Sequence, residues 1–362
     1  MPNSQFPFKE DVVGIRVADC KYGENPQMQG ALYHIGGQDP LALDKFQDEG
    51  GDARSLVNFT DVDRLLQTTT HVAAGYSLNF GDVPAIAIGV KHGNSCGVGV
   101  SMDGVSNPWD DALMRMVEGD ERAIFGGVVM TNFPIGTEEA ETLRRHRMAG
   151  GAKRMLDTIV APSFHEGAHE ELERKAGKCR LLSNPALGRF GQMHYTAMLD
   201  QQPRRRYVRG GYLVQTNYTY VLDLAAEDVA FYGPPLSEPQ KQWLVLAWAI
   251  GSTSNSNTIT LVREGMLLGN GVGQQDRVGA AELAIKRAID SGHGDMLAGA
   301  VAYSDSFFPF PDGVQALVDA GVGAIFASSG SVNDPKTIEV CEKAEVSLVM
   351  VPDSVCRGFA WH

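Results

Sequence analysis

Along this chain, short apolar runs closed by glycine or proline alternate with stretches whose apolar residues recur at helical spacing, the pattern of an α/β protein. The sharpest run is Ala85 to Val90, bounded by Pro84 before it and by Gly93 and Gly97 after it. It is too short for a helix and has no polar face, which predicts a strand covered on both sides, followed by a glycine-rich turn. Upstream, Val12 to Val17 predicts a strand, CKYGENPQMQGALY a loop between extended segments, and 37–55 a surface connection. Thr60-Asp61 then caps a helix through Leu65, Leu66 and Val72, with Asn58 just ahead of it. Downstream come a helix from Pro108 to Val117 and a strand in AIFGGVVMTN pinched by Gly126 and Gly127. A basic helix over 138–148, a strand over 156–164 opened by Asp157, and a charged helix over 163–178 follow.

The stretch 180–206 is mixed, its basic run Arg204 to Arg206 reading as a solvated face, and RGGYLVQ predicts an edge strand. The change of composition at 180–208 marks the expected boundary between two halves. In the second half, Trp243 to Ile250 predicts a core helix and Glu264-Gly265 the turn of a strand hairpin. A glycine-rich loop at 269–273 leads into a long helix from about Arg277, an arrangement that points to an anion or amide site. Strands and helices then alternate to the final VSLVMV, and both halves share a plan in which an apolar strand ends in a polar or aromatic loop.

Composition narrows the function. With 43% hydrophobic and 21% charged residues in 362, the chain can bury one large core or two moderate ones. Its net charge of −13 and lack of a basic run weigh against nucleic acid, while a local basic cluster can still bind a small anion. Cys20, Cys96, Cys179, Cys341 and Cys356 are scattered with no C-x-x-C, so neither a disulfide framework nor zinc is signalled, and a reducing cytoplasm is expected. No apolar stretch approaches the roughly 18 residues of a membrane span, and MPNSQFPFKEDV has no apolar leader region. The chain is therefore expected to be neither exported nor anchored.

The strand at 85–90 ends in Lys91 and His92, a positive charge beside the side chain best able to exchange a proton near neutrality. A neighbouring ammonium disfavours a second positive charge, which leaves His92 free to act as a base. A strand that merely ends in solvent would carry the same pair. Phe307, Phe308, Pro309 and Phe310 form a stiff apolar turn, either a plug for the core or a wall for a flat heteroaromatic ring. Ser329, Gly330 and Ser331 precede a helix whose N-terminus can receive a polar ligand or be simply capped.

Six motifs in order carry a resemblance over almost the whole chain: KYGENP at 21–26, VKHGNSCG at 90–97, FGG at 125–127 with DTIVAP at 157–162, SNTITLVREG with GNGVGQQDR ending at 277, SDSFFPFPDG at 304–313, and SGS at 329–331. Together they resemble the formyltransferase part of the AICAR transformylase/IMP cyclohydrolase family. The resemblance implies two cytidine-deaminase-like subdomains, residues 1–180 and 181–362, with mixed sheets flanked by helices and without that fold's zinc. It implies formyl transfer from 10-formyltetrahydrofolate, the co-substrate, to the 5-amino group of AICAR in purine biosynthesis. It also implies a cytoplasmic homodimer with shared active sites.

By the same resemblance His92 is the proton acceptor, Lys91 the transition-state stabiliser, and Asn257 the family's asparagine, with Asn255 the alternative where the register shifts. The nucleotide is expected against Lys21, Tyr22, Asn58, Gly126, Asp157, Asn257, Arg277, Phe307 and Arg357. The folate is expected against Val278, Phe307, Phe308, Pro309, Phe310, Asp312, Ser331 and Val332. Departures from the pattern are Lys21 for an arginine, Ser95 for a proline, Pro311 for an arginine, and a tail that reaches Arg357 after about three extra residues. Nothing ahead of Lys21 is long enough to be a cyclohydrolase domain, so the expectation is a chain that formylates only. Lys91, His92 and Asn257 together favour catalysis over binding alone, and Lys21 and Pro311 leave open another amino-heterocycle nucleotide as acceptor.

Overall fold

In the computed structural model, which describes residues 14–51, 55–174 and 177–360, the short apolar runs are strands and the periodic stretches helices. The first described elements are β1 (Ile15–Cys20) and β2 (Gly30–His34), a hairpin outside the main sheet. Then follow β3 (Gln47–Gly50), α1 (Leu56–Phe80), the hairpin of β4 (Ile86–Lys91) and β5 (Asn94–Val100), α2 (Pro108–Gly119), β6 (Val128–Thr131), α3 (Thr137–Arg145), β7 (Thr158–Ala161), α4 (Ala168–Leu172) and β8 (Arg180–Ser183). A connecting stretch holds α5 (Tyr195–Met198) and a second free hairpin, β9 (Arg204–Val208) with β10 (Gly211–Gln215). The rest runs through β11 (Ala230–Tyr232), α6 (Glu238–Gly251), the hairpin of β12 (Ile259–Arg263) and β13 (Met266–Gly271), α7 (Arg277–Asp290), β14 (Val301–Ser304), α8 (Asp312–Asp319), β15 (Ala324–Ser329), α9 (Asp334–Lys343), β16 (Ser347–Pro352) and α10 (Asp353–Cys356).

Twelve of these strands form one mixed sheet in the order β3-β8-β7-β6-β4-β5-β13-β12-β14-β15-β16-β11. Read from either edge to the middle, the pairing is the same. An antiparallel edge strand is followed by three parallel strands and then an antiparallel hairpin. The helices repeat in step, so that α1 and α6 precede the hairpins while α2 and α7 follow them. The backbones of the two halves of the sheet meet between β5 and β13 at Gly99 and Met266. β8 belongs with the first set of strands through its pairing with β7 and β3, and the second set begins at β11.

α1 and α6 pack against each other on the sheet, with Val62, Leu65, Val72, Leu244, Val245 and Trp248 fully or almost fully buried. Their approach is close: a methyl group on Gly75 would stand 2.7 Å from Val245. α7 and α8 share a second apolar cluster, and α2 and α3 a third, so β4 is covered as its sequence predicts.

Several expectations are corrected. α1 starts at Leu56, not after Thr60-Asp61, because Ser55 supplies the capping oxygen to the Asn58 N–H and Leu56 and Phe59 already continue its apolar stripe. Asn58 is therefore inside the first turn. His92 and Gly93 alone make the turn after Lys91, and the glycines beyond it are in β5. Likewise Gly269 and Gly271 are in β13, where a methyl group would stand 2.1 Å and 2.0 Å from the carbonyls of Ala284 and Ala280 on α7. Those two glycines accommodate a helix. The helix expected over 163–178 shrinks to α4, with residues 175 and 176 outside the described residues, as are residues 1–13, which include Val12 and Val13 of the first expected strand. RGGYLVQ pairs with β9 as a separate hairpin instead of edging the main sheet.

Gly271→Ala should thus force α7 off the sheet and lower unfolding stability by about 1–3 kcal/mol. Gly211→Ala, with nothing within 4 Å of the added methyl, should leave it near the parent value in the same denaturant titration.

Candidate active site

β4 carries Lys91 to its last position, and His92 and Gly93 form a two-residue turn with φ of 52° and 75°. Left-handed values at both central residues match the right-handed twist of the flanking strands, and histidine enters this region more readily than most side chains. The imidazole is consequently exposed at a corner of the sheet. Lys91 Nζ donates to the Phe125 carbonyl at 2.7 Å. That carbonyl opens a loop whose Gly126, at φ 73°, donates its N–H to Met155 O at 2.7 Å, and Gly127 O accepts from the Asp157 N–H at 3.0 Å. Lys91, Gly126 and Asp157 are thus strapped into one corner. The Asp157 carboxylate, half exposed, pairs with Arg174 at 3.1 Å.

Helix α1 holds the turn from the other side. Asp61 Oδ1 accepts from the Gly93 N–H at 2.7 Å, and Arg64 Nε donates to Gly93 O at 2.7 Å. Both side chains are buried. Burial raises the Asp61 carboxyl above its ordinary range, against the lowering influence of the Gly93 N–H and of the charges on His92 and Arg64. At the start of the same helix, Tyr22 O accepts from the Leu56 N–H at 3.3 Å, which sets Lys21 and Tyr22 beside Asn58.

The second group of expected residues surrounds the ends of β12 and β14. Asn257 donates from Nδ2 to Gln274 O at 2.8 Å, while Asn255 reaches the His92 hairpin, its N–H donating to Asn94 Oδ1 at 3.0 Å. Arg277 is buried and gives its guanidinium to Asp305, which also accepts from the Thr258 N–H at 3.1 Å. Burial raises the Asp305 carboxyl, and Arg277 opposes it. Val278 is half buried in the following turn of α7.

Of the three rings in the aromatic turn, Phe308 lies in the core beneath Gly313, which removes it from the ligand-facing set; the apolar cluster it joins is the reason. Phe307 is half buried and Phe310 exposed. Asn333 donates to Pro309 O at 2.6 Å and its N–H to Ser331 Oγ at 3.2 Å, bringing the turn beside Ser331 and the exposed Val332. Asp312 accepts from the Gly313 N–H at the start of α8. Arg357 pairs with Asp353, which also accepts from Ser306 and Ser328. Burial alone would raise Asp353, but these hydrogen bonds outweigh it and hold the carboxyl below its usual range.

Beside the hairpin is a cavity of about 260 Å³ lined by Lys91, His92, Asn94, Cys96, Asp120 and Arg287, among others. Of the residues expected from sequence, Lys91 and His92 line it. A separate cavity of about 250 Å³ between β2 and α1 is lined by none of them. The pattern of the sequence missed Asp61, Arg64, Asn94 and Asp353; the visible signal was the charged cluster Asp61, Asp63 and Arg64 in the first turns of α1. Among the described residues no group of three or more His, Cys, Asp or Glu is placed to hold a metal ion, and no helix is long and apolar enough to cross a membrane.

A sequence profile of the AICARFT/IMPCHase bienzyme family matches residues 2–287. The bifunctional purine biosynthesis protein PurH of Listeria monocytogenes serotype 4b (strain F2365) is 31% identical over 345 residues, covering 95% of this chain and 60% of its own. The protein of the same description from Anoxybacillus flavithermus (strain DSM 21510 / WK1) is 32% identical over 346 residues with the same coverage. That of Cutibacterium acnes (strain DSM 16379 / KPA171202) is 33% identical over 332, covering 91% and 56%. The chain spans about 60% of the length of these relatives. Acinetobacter baumannii RibD, form 2, is similar over 32% of this chain and 34% of its own at 20% identity, and its TM-score of 0.22 carries no argument.

Arg277→Met should lower stability by about 3–5 kcal/mol by leaving Asp305 buried and unpaired. Asp305 then loses the charge that lowers it, so its folded form holds a proton more tightly than its unfolded form. The deficit should be largest near about pH 8 and shrink towards about pH 5, as denaturant titrations at the two values would measure.

Proposed function

Because the chain belongs to the AICARFT/IMPCHase bienzyme family, we propose that it is a folate-dependent formyltransferase of purine biosynthesis, moving a formyl group from 10-formyltetrahydrofolate to the 5-amino group of AICAR. The observation that carries this reading is the presentation of Lys91 and His92 together at a cavity rim, on a turn gripped from α1. The acceptor amine is conjugated with an electron-poor ring and is a feeble nucleophile, so its proton must leave as the nitrogen–carbon bond forms. His92 accepts that proton. Lys91 meets the negative charge that develops on the formyl oxygen, with Asn257 as a neutral donor. The bond from the formyl carbon to N10 then breaks, and tetrahydrofolate leaves with a proton on that nitrogen.

In this reading Lys21 binds the nucleotide phosphate, with Tyr22, Asn58, Gly126, Asp157, Arg277, Phe307 and Arg357 around the nucleotide. Val278, Phe307, Pro309, Phe310, Asp312, Ser331 and Val332 form the folate side. The exposed Phe310 and Val332, on two turns joined by the Asn333 bond to Pro309 O, support a flat apolar ring there. We read each half as a cytidine-deaminase-like subdomain, supported by the repeated strand order, with the division between Ser183 and Ala230. A cytoplasmic homodimer completes the proposal, supported by Ile15, Tyr33, Tyr207 and Leu213, which stand exposed on the two free hairpins.

His92→Asn, which keeps a side chain tolerant of left-handed backbone, and Lys91→Met should each lower turnover about 100- to 1000-fold while AICAR still binds by calorimetry. Lys21→Met should instead mainly weaken nucleotide binding. Near-normal turnover in His92→Asn would remove the base from this scheme. Sedimentation at micromolar concentration should give the mass of two chains, and a single-chain mass would refute the dimer.

A further inference from the structure

Arg64 connects the two places where the proposed chemistry is divided. It lies on α1 one turn beyond Asp61 and is 5% exposed. Nε donates to Gly93 O at 2.7 Å, and Nη2 donates to Asn255 Oδ1 at 2.9 Å. Gly93 is the other half of the His92 turn. Asn255 is two residues before Asn257, and its carbonyl accepts from Thr258 Oγ1 at 2.6 Å and from the Gly273 N–H at 2.7 Å. One planar guanidinium therefore joins the turn carrying the proposed base to the segment carrying the proposed oxyanion donor.

The backbone supplies little of this connection. β5 and β13 pair at Gly99 and Met266, near the end of the hairpin away from His92. At the near end the halves are joined by side chains: Asn270 donates to Ser95 O at 3.1 Å, Asn94 Oδ1 accepts from the Asn255 N–H, and Arg64 spans Gly93 and Asn255. Arginine suits the position because its fork serves two acceptors in fixed directions, which a lysine cannot do. We infer that Arg64 is a positioning residue that sets the separation of His92 and Asn257. Its kinetic consequence rests on the formyl-transfer reading; its structural consequence does not.

A displacement of about 1 Å between reacting groups can cost about 100-fold in rate. Arg64→Gln should therefore lower kcat by about 10- to 100-fold with KM for AICAR within about twofold, and Arg64→Lys should stay closer to the Gln variant than to the parent. Asn255→Ala cuts the same link from the other side. The double variant should be no slower than the slower single one, because one connection cannot be lost twice. Hydrogen exchange without substrate supplies the independent arm. In Arg64→Gln, peptides covering 86–97 and 252–258 should exchange about tenfold faster, while those covering β15 keep the parent rate.

Unchanged exchange at 86–97 would overturn the inference, as would acceleration across the whole molecule, which indicates general destabilisation. Multiplying rate losses in the double variant would overturn it too. Should the parent protein fail to transfer formyl groups, the reading of function fails, and the exchange arm still decides the role of Arg64.

Discussion

Helix backbone lies directly on strand backbone at the centre of the sheet, and the location of the site follows from that contact. Gly97 and Gly99 of β5 meet the carbonyls of Met116 and Ala112 on α2 as Gly269 and Gly271 of β13 meet those of Ala284 and Ala280 on α7. A side chain at any of the four would separate the layers. With α2 and α7 so close on one face and α1 and α6 on the other, the β4–β5 hairpin has little freedom except at its turn. Lys91 and His92, the proposed reactive pair, stand at that turn.

What fixes the turn is polar and buried. Asp61 and Arg64 satisfy both backbone groups of Gly93, and Asp305 with Arg277 does comparable service for Thr258. Buried charges are weak sources of stability, since desolvation consumes most of their attraction. Their value lies in direction: a carboxylate and a guanidinium that must pair leave the neighbouring backbone one arrangement instead of several. Asp353 does the same for the aromatic turn and the tail, drawing Ser306, Ser328 and Arg357 onto one carboxylate.

Much of the fold was legible because burial on two faces writes itself as uninterrupted apolar residues. The strand read at 85–90 was visible for that reason and is observed at Ile86–Lys91, while the Glu264-Gly265 turn was visible from its glycine and the core helix through Trp248 from apolar residues at helical spacing. The start of α1 was misread because Thr60-Asp61 is as good a cap by composition as Ser55, and only the tertiary contact with Gly93 gives Asp61 other work. The glycines of 269–273 looked like a ligand loop because sequence cannot tell a strand that admits a helix from a loop that admits a phosphate. At the site, the adjacency of Lys91 and His92 at a strand end was visible. The grip of Asp61 and Arg64 was not, since a charged pair on a helix reads as a solvated face until another element covers it. Phe308 was grouped with its neighbours as one aromatic turn, and only packing separates it from them.

The repeated plan has two hairpins, and their turns are conformational twins: Glu264 and Gly265 have φ of 52° and 71°, against 52° and 75° for His92 and Gly93. Because β5 and β13 run antiparallel, the twins stand at opposite ends of the central strands. At the second corner the Glu264 carbonyl accepts from Arg115, and Gly265 O accepts from the Val100 N–H at 2.9 Å. That corner serves as a clasp between the halves. The molecule thus contains its own reference state: whatever sequence change the Glu264 corner accepts reports what the shared turn geometry demands, and any further restriction at the His92 corner is the share set by the grip of Asp61 and Arg64 together with whatever that corner does.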